Sequence, residues 1–205
     1  MESKNFVVRK VAVLGAGVMG AQIAAHLVNA NIEAILFDLP AKEGDKNGVI
    51  KKAIDNPAKI DPAPLSLKSR ASFIRAANYD EHLPLLKDCD LIIEAISERM
   101  DWKHDLYRKV APHLNDHAIF ASNTSGLSIT KLSEVMPDNF KRRFCGILFC
   151  NPPRYMKLVE LIATPSTDGK ILDDLETFLT THLGKGVIRA KDTPNFIANR
   201  VGIFS

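Results

Sequence analysis

Three glycines, spaced Gly15-x-Gly17-x-x-Gly20, restrict this chain more than any other feature. Before them runs Val11-Ala12-Val13-Leu14, small and β-branched apolar residues suited to a buried strand. After them, Ile23, Ala24, Leu27 and Val28 recur at helical spacing in an Ala-rich segment. A second apolar run, Ala34-Ile35-Leu36-Phe37, ends on Asp38. The order is strand, tight turn, helix, strand, acid. It is the order of a βαβ unit that binds a dinucleotide, and each part has a physical role there. Gly15 allows a sharp turn off the strand, where a Cβ would clash. Gly17 lets backbone approach a pyrophosphate, and Gly20 lets the helix pack closely on the strand. The helix start, with Val18 and Met19, presents N–H groups and a positive dipole end to the phosphates. Asp38 follows at about the 20-residue spacing at which an acid accepts from a ribose 2′-hydroxyl. Leu39 and Pro40 come next, with no Arg to neutralise a 2′-phosphate, so the pattern selects NAD over NADP. A lone glycine triplet often serves packing alone; the whole layout is far more specific.

Composition adds exclusions. The 205 residues suffice for one good-sized domain, or a domain and a fragment. Lys and Arg outnumber Asp and Glu by 27 to 24, too small a surplus to argue for nucleic acid. No apolar stretch approaches the length of a membrane span. The first ten residues, MESKNFVVRK, lack a signal-peptide core. Cys89, Cys145 and Cys150 are odd in number and form no CxxC, which fits a reduced, cytoplasmic chain and offers no metal site.

Further along, Val49–Asn56 reads as a short basic helix, and the prolines at 57, 62 and 64 mark an excursion from the sheet. Lys46, Lys51 and Lys52 in that excursion fit a solvated face better than a phosphate site. Strands are expected at Ala71–Ala76, Leu91–Ile96, Ala118–Ala121, Phe144–Cys150, Leu158–Ala163 and Val187–Ala190. Helices are expected over Ser97–Leu114, from Ser128 or Thr130 to Met136, and over Asp168–Leu183. Asp192-Thr193 then reads as the cap of an apolar helix, Asn195–Phe204, with Pro194 in its first turn. The alternation of strands and helices predicts an α/β fold, a Rossmann-type doubly wound and mostly parallel sheet. Residues 1–190 form the dinucleotide domain, and 191–205 form the first helix of a further helical domain cut short by the chain end. An apolar helix at a chain end calls for such a continuation or for a covering partner.

Five segments together resemble one family. They are Gly15-Ala16-Gly17-Val18-Met19-Gly20, Ile93-Glu94-Ala95-Ile96-Ser97-Glu98, Ser122-Asn123-Thr124-Ser125, Asn151-Pro152-Pro153 with Leu158-Val159-Glu160-Leu161, and Asp192-Thr193-Pro194 with Asn199-Arg200. In this order they are similar to the NAD-binding domain of 3-hydroxyacyl-CoA dehydrogenase, of the bacterial fatty acid β-oxidation type. The resemblance implies reversible hydride transfer between NAD and the C3 hydroxyl of an acyl-CoA, and a dimer made through the helical domain. It implies cofactor contacts at Ala95, Glu98, Lys103 and Asn151 besides the glycines and Asp38. Ser125 resembles the serine on the substrate oxygen, Asn199 the asparagine that completes the polar site, and Glu160 the acid that orients a catalytic histidine.

That histidine is absent. The family reads Gly-(apolar)-His-Phe-Phe-Asn-Pro, and this chain reads Gly146-Ile147-Leu148-Phe149-Cys150-Asn151-Pro152. Leu148 stands 12 positions before Glu160, the spacing of the family's His–Glu pair, so the change is a substitution within an intact frame. Leu cannot carry a proton, and the loss of a positioned base costs about 10²–10⁴-fold in rate. Glu160, facing Leu148, is expected to lack a partner and to resist ionisation if buried. His26, His82, His104, His113, His117 and His182 fit surface or packing positions better than a replacement base. Two other readings stand beside an impaired dehydrogenase. One is a non-catalytic NAD-binding module. The other is a different β-hydroxyacid dehydrogenase with Lys157 or Lys185 as base.

Overall fold

The computed structural model describes residues 6–56 and 60–204. Eight strands form one sheet: β1 Lys10–Leu14, β2 Glu33–Asp38, β3 Ile74–Asn78, β4 Leu91–Glu94, β5 Ile119–Ser122, β6 Phe144–Phe149, β7 Leu158–Ala163 and β8 Gly186–Ala190. Their order across the sheet is β3-β2-β1-β4-β5-β6-β7-β8. Every neighbouring pair is parallel except β6 and β7. The chain leaves β1 toward β2 and β3, then returns to place β4 on the other side of β1. That reversal opens a crevice beyond the C-terminal ends of β1 and β4, where ligands of such sheets bind.

Among the described residues there are seven α-helices: α1 Val18–Asn29, α2 Gly48–Asp55, α3 Met100–Val110, α4 Ile129–Ser133, α5 Asp138–Lys141, α6 Gly169–Thr181 and α7 Ala198–Phe204. Side chains alternate along each strand, so each face builds its own core. On one face Val11, Val13, Leu36 and Ile93 pack with Ile23 and Leu27 of α1 and Leu175 and Leu179 of α6. On the other, Ala12, Leu14, Ile35 and Ile92 pack with Tyr107 and Val110 of α3 and Leu132 of α4. Burial on both faces explains why these strands read as unbroken apolar runs. Among the described residues, no helix is long and apolar enough to cross a membrane.

Three expectations shift. The strand expected at Ala71–Ala76 begins at Ile74, because Lys68–Phe73 coils into 3-10 turns. Arg70 pins those turns by donating to the Val28 carbonyl at 2.7 Å and to Asn31 at 2.8 Å. The last helix starts at Ala198, since Asn195 and Phe196 take left-handed φ values of 65° and 45°. Asp192 does not cap that helix. Its carboxylate accepts from the N–H groups of Ile129 (3.0 Å) and Thr130 (2.8 Å) and from the Ser128 hydroxyl (2.8 Å), so it caps α4 across the fold. Burial pushes the Asp192 carboxyl up, but these bonds outweigh it and hold the group below the usual range. The Asn56-Pro57 break lies partly outside the described residues. The rest of the proline-rich insert is tied back: Arg154 donates to the Ala63 and Leu65 carbonyls and Tyr155 to Ala63.

Candidate functional site

Two cavities lie along the C-terminal edge of the parallel strands. One, of about 680 Å³, is lined by Gly15, Gly17, Val18, Met19, Asp38, Leu39, Tyr79, Ala95, Ile96, Ser97 and, from α3, Trp102, Asp105, Leu106 and Lys109. The other, of about 420 Å³, is lined by Met19, Ala95, Ile96, Ser97, Glu98, Asn123, Ser125, Leu148, Phe149, Cys150, Asn151, Ala198 and Asn199. Met19, Ala95, Ile96 and Ser97 wall both. A larger cleft, about 1040 Å³, lies at the opposite end of the strands among Arg9, Asp90, His117, Arg143 and Lys170. It gathers none of the cofactor, substrate or catalytic residues assigned from sequence, and of the histidines weighed as a base it holds His117.

The glycine turn is fixed by close packing. Gly15 has φ 109°, and a Cβ there would stand 2.8 Å from the Ala95 carbonyl oxygen. A Cβ at Gly20 would run into the Gly15 carbonyl oxygen. A Cβ at Gly17 would meet nothing within 4 Å; this glycine opens onto free space at the start of α1. No side chain caps that helix start. Asp38 closes the turn from the side, its Oδ2 accepting from the Ala16 N–H at 2.6 Å and its Oδ1 from the Leu39 N–H at 2.7 Å. The four-residue repeat Trp102, Leu106, Val110, Leu114 is buried except at Trp102, which is 48% exposed on the cavity with Arg99 stacked 4.4 Å from its ring centre.

The second cavity joins loops after β4, β5 and β6. Glu98 accepts from the Thr124 hydroxyl at 2.5 Å and the Ser125 N–H at 3.2 Å. Asn199 donates to the Ser125 carbonyl at 2.9 Å. Asn123 accepts from the Phe149 N–H at 2.9 Å, and Asn151 accepts from Gln22 at 3.4 Å. Leu148, 6% exposed, stands on the cavity wall, paired in register with Glu160. The Cys150 thiol beside it is pushed up, first by burial and then by the Glu160 charge, which makes it a poor replacement base.

One sequence expectation is corrected here, and one assigned residue has partners that sequence did not show. Glu160 is buried but not without partners: Oε2 accepts from the Ile197 N–H at 2.9 Å and Oε1 from the Ala198 N–H at 2.8 Å. The acid caps the start of α7. Lys103, expected against the cofactor, lines neither cavity. It is fully buried, and its ammonium donates to Glu94 at 2.6 Å and to the Ile96 carbonyl at 3.2 Å. No histidine lines either cavity. The Lys185 ammonium is taken up by the Pro153 and Met156 carbonyls, and Lys157 also lines neither cavity. Sequence reasoning missed Glu94, Tyr107 and Ser122, which form a buried network under the shared wall. The available signal was an acid closing an otherwise apolar run, Leu91-Ile92-Ile93-Glu94.

The family profile described as "3-hydroxyacyl-CoA dehydrogenase, NAD binding domain" matches residues 10–193. The chain belongs to this family. Its NAD-binding domain is 46% identical over 198 residues to a Rickettsia felis protein provisionally named a fatty acid oxidation complex trifunctional enzyme. That match covers 96% of this chain and 28% of the relative. The mitochondrial hydroxyacyl-coenzyme A dehydrogenase of Rattus norvegicus is 35% identical over 209 residues, covering 97% of this chain and 64% of the relative. The crystal structure of 3-hydroxybutyryl-CoA dehydrogenase from Escherichia coli superimposes with TM-score 0.80 at 30% identity, over 96% of this chain and 41% of that one. This NAD-binding domain thus spans less than two thirds of the length of each. The residues present fit NAD: Gly17 leaves the helix start open to a pyrophosphate that a Cβ would obstruct, and the Asp38 carboxylate lies on the same cavity wall.

Proposed function

We propose that this chain is the cofactor-binding part of an NAD-dependent 3-hydroxyacyl-CoA dehydrogenase of fatty acid β-oxidation, with proton transfer impaired by Leu148. The reaction oxidises a 3-hydroxyacyl-CoA to the 3-oxoacyl-CoA, and NAD, when bound, takes up the hydride from C3. The hydroxyl proton must pass to a base, and the position suited to one holds an isobutyl group. In this reading Gly15, Gly17 and Gly20 with the N–H groups at Val18 and Met19 bind the pyrophosphate, and Asp38 the ribose. Ala95, Glu98 and Asn151 border the nicotinamide side. Ser125 and Asn199 orient the substrate oxygen. Glu160 holds the start of α7.

The observation that carries the reading is Leu148 on the wall of the cavity adjoining the glycine turn, opposite buried Glu160. Exposed Ile197 and Val201, the latter 64% exposed, and the greater length of the relatives support residues 191–205 as the start of a helical domain. That domain would close over the acyl-CoA and make the dimer in the cytoplasm; sedimentation of the whole protein tests the dimer. The main test compares the parent and Leu148→His in NADH-dependent reduction of acetoacetyl-CoA. A gain for the variant is expected, and equal rates would overturn the missing-base account. The same parent sample distinguishes the non-catalytic module, which binds NADH without turnover. A lysine-based hydroxyacid dehydrogenase has no support, since neither Lys157 nor Lys185 lines the site.

A further inference from the structure

Lys185 is a buried lysine that lines neither cavity of the site. Its ammonium donates to two main-chain carbonyls, that of Pro153 and, at 2.8 Å, that of Met156. Among the described residues it pairs with no carboxylate, and burial pulls its pKa below the usual lysine range. The root of the side chain is fixed by other elements. Gly184, with φ 65°, turns the chain out of α6, and the Lys185 N–H donates back to Leu179 at 3.0 Å. The next N–H, of Gly186 at the start of β8, donates to the Lys157 carbonyl at 2.9 Å. From this fixed root the ammonium reaches across to residues 150–157, the loop that joins β6 to β7. A buried charge held by carbonyls alone is costly, and an apolar side chain of similar volume would avoid that cost. The charge is better explained by the loop it holds than by stability.

That loop has one end in the site. Cys150 and Asn151, its first residues, line the cavity that holds Ser125, Leu148 and Asn199. The Asn151 side chain accepts from Gln22 of α1 at 3.4 Å, a long bond, so its place depends on where the main chain puts it. Beyond it the loop turns on itself: the N–H groups of Tyr155 and Met156 both donate to the Pro152 carbonyl, at 3.1 and 3.0 Å. The Pro153 and Met156 carbonyls then converge on Lys185. On the outer side Arg154 and Tyr155 hold the proline-rich insert. Lys185 is thus the inner anchor of a loop that begins as a cavity wall. A dinucleotide with its pyrophosphate at the glycine turn and a ribose at Asp38 fills the larger cavity with its adenosine half. Its other half passes Met19 and the shared wall into the cavity where Asn151 stands.

We infer that Lys185 is a positioning residue for the nicotinamide half of NAD: it sets the loop over residues 150–157 so that Asn151 meets that half. The inference rests on the cofactor reading above and not on proton transfer at Leu148. ADP, which keeps the adenosine and pyrophosphate and lacks the nicotinamide riboside, separates the two halves. Calorimetry measures both ligands. Quenching of Trp102, the single tryptophan of the chain and a wall of the larger cavity, checks the NADH value. In Lys185→Met, NADH affinity should fall about tenfold, the upper scale of one neutral hydrogen bond, while ADP affinity stays parental. The variant also leaves two carbonyls without their donor, so its melting temperature should fall. Should it not fold, Lys185→Gln, which keeps an amide donor for one carbonyl, carries the same comparison. Asn151→Ala should show the same split between the ligands. Adding Lys185→Met to it should cost little more, since the lysine acts through that end of the loop. Parental NADH affinity in a folded Lys185 variant would overturn the inference. So would equal losses for NADH and ADP, which would make Lys185 a structural residue alone, or full additivity with Asn151→Ala. A parent that binds both ligands keeps the cofactor reading whatever the variants do. A parent that binds neither overturns that reading, and the inference with it.

Discussion

The two ends of this site are made of different material. Around the glycine turn the shape is set by the main chain: a left-handed Gly15, a close contact at Gly20, an open edge at Gly17, and N–H groups held by Asp38. At the β6–β7 pair, proton handling would depend on a single side chain, and that side chain is Leu148. Main-chain geometry is spread over many residues and fails only when the fold fails. A side-chain function depends on one residue, whereas the strand register around it, such as the Leu148–Glu160 pairing, does not.

The contrast can be broken most sharply at Leu148. In the whole protein, Leu148→His is expected to raise the acetoacetyl-CoA reduction rate by about 10²–10⁴-fold with NADH affinity unchanged. A change in affinity instead would mean that the two ends are not separable. Next in size is Gly17→Val. Since a Cβ there meets nothing within 4 Å, the melting temperature should hold, while NADH binding by Trp102 quenching should weaken about a hundredfold as the side chain fills the phosphate approach. Retained binding would remove the glycine turn from the cofactor site.

His26, on α1 behind the turn, sharpens the comparison through pH. Both ring nitrogens are buried without hydrogen-bond partners among the described residues, and burial, with Lys185 and Arg154 nearby, lowers its pKa to about 4. The folded state therefore binds the proton less readily than the unfolded chain, whose histidine titrates near 6.5. Its contribution is fully present above pH 6.5 and is lost as pH falls toward 4, about 3 kcal/mol in all. Denaturant titrations from pH 7 to 4 should show that slope, and His26→Leu should flatten it. The smallest effect is expected from Asp38→Asn. It keeps a neutral acceptor for Ala16 or Leu39 but loses the charge, and NADH affinity should drop about tenfold by calorimetry. An unchanged value would leave Asp38 with the turn alone.

Local pattern made much of this readable. The β1–α1–β2 unit, the buried run of β4, and the Leu148–Glu160 alignment all follow from spacing along one segment. What escaped depends on partners far along the chain. Asp192 looked like the cap of the helix next to it, yet its carboxylate serves α4 more than 60 residues earlier, since either helix start offers equivalent N–H groups. Lys103 looked like a cofactor contact, and Glu94 like part of a motif. Their mutual burial needs α3, β4 and β5 to be stacked before it can be seen. The 3-10 turns at Lys68–Phe73 replaced expected strand because Arg70 found acceptors in α1.

Glu160 carries one more consequence, for how drift of such a protein would look. With both oxygens taken by the main chain at Ile197 and Ala198, the acid has work that outlives any histidine partner. A lineage that abandons turnover would still be selected to keep it, because losing it would unmoor the last helix. Its presence in a sequence is therefore a marker of helix anchorage and not of turnover.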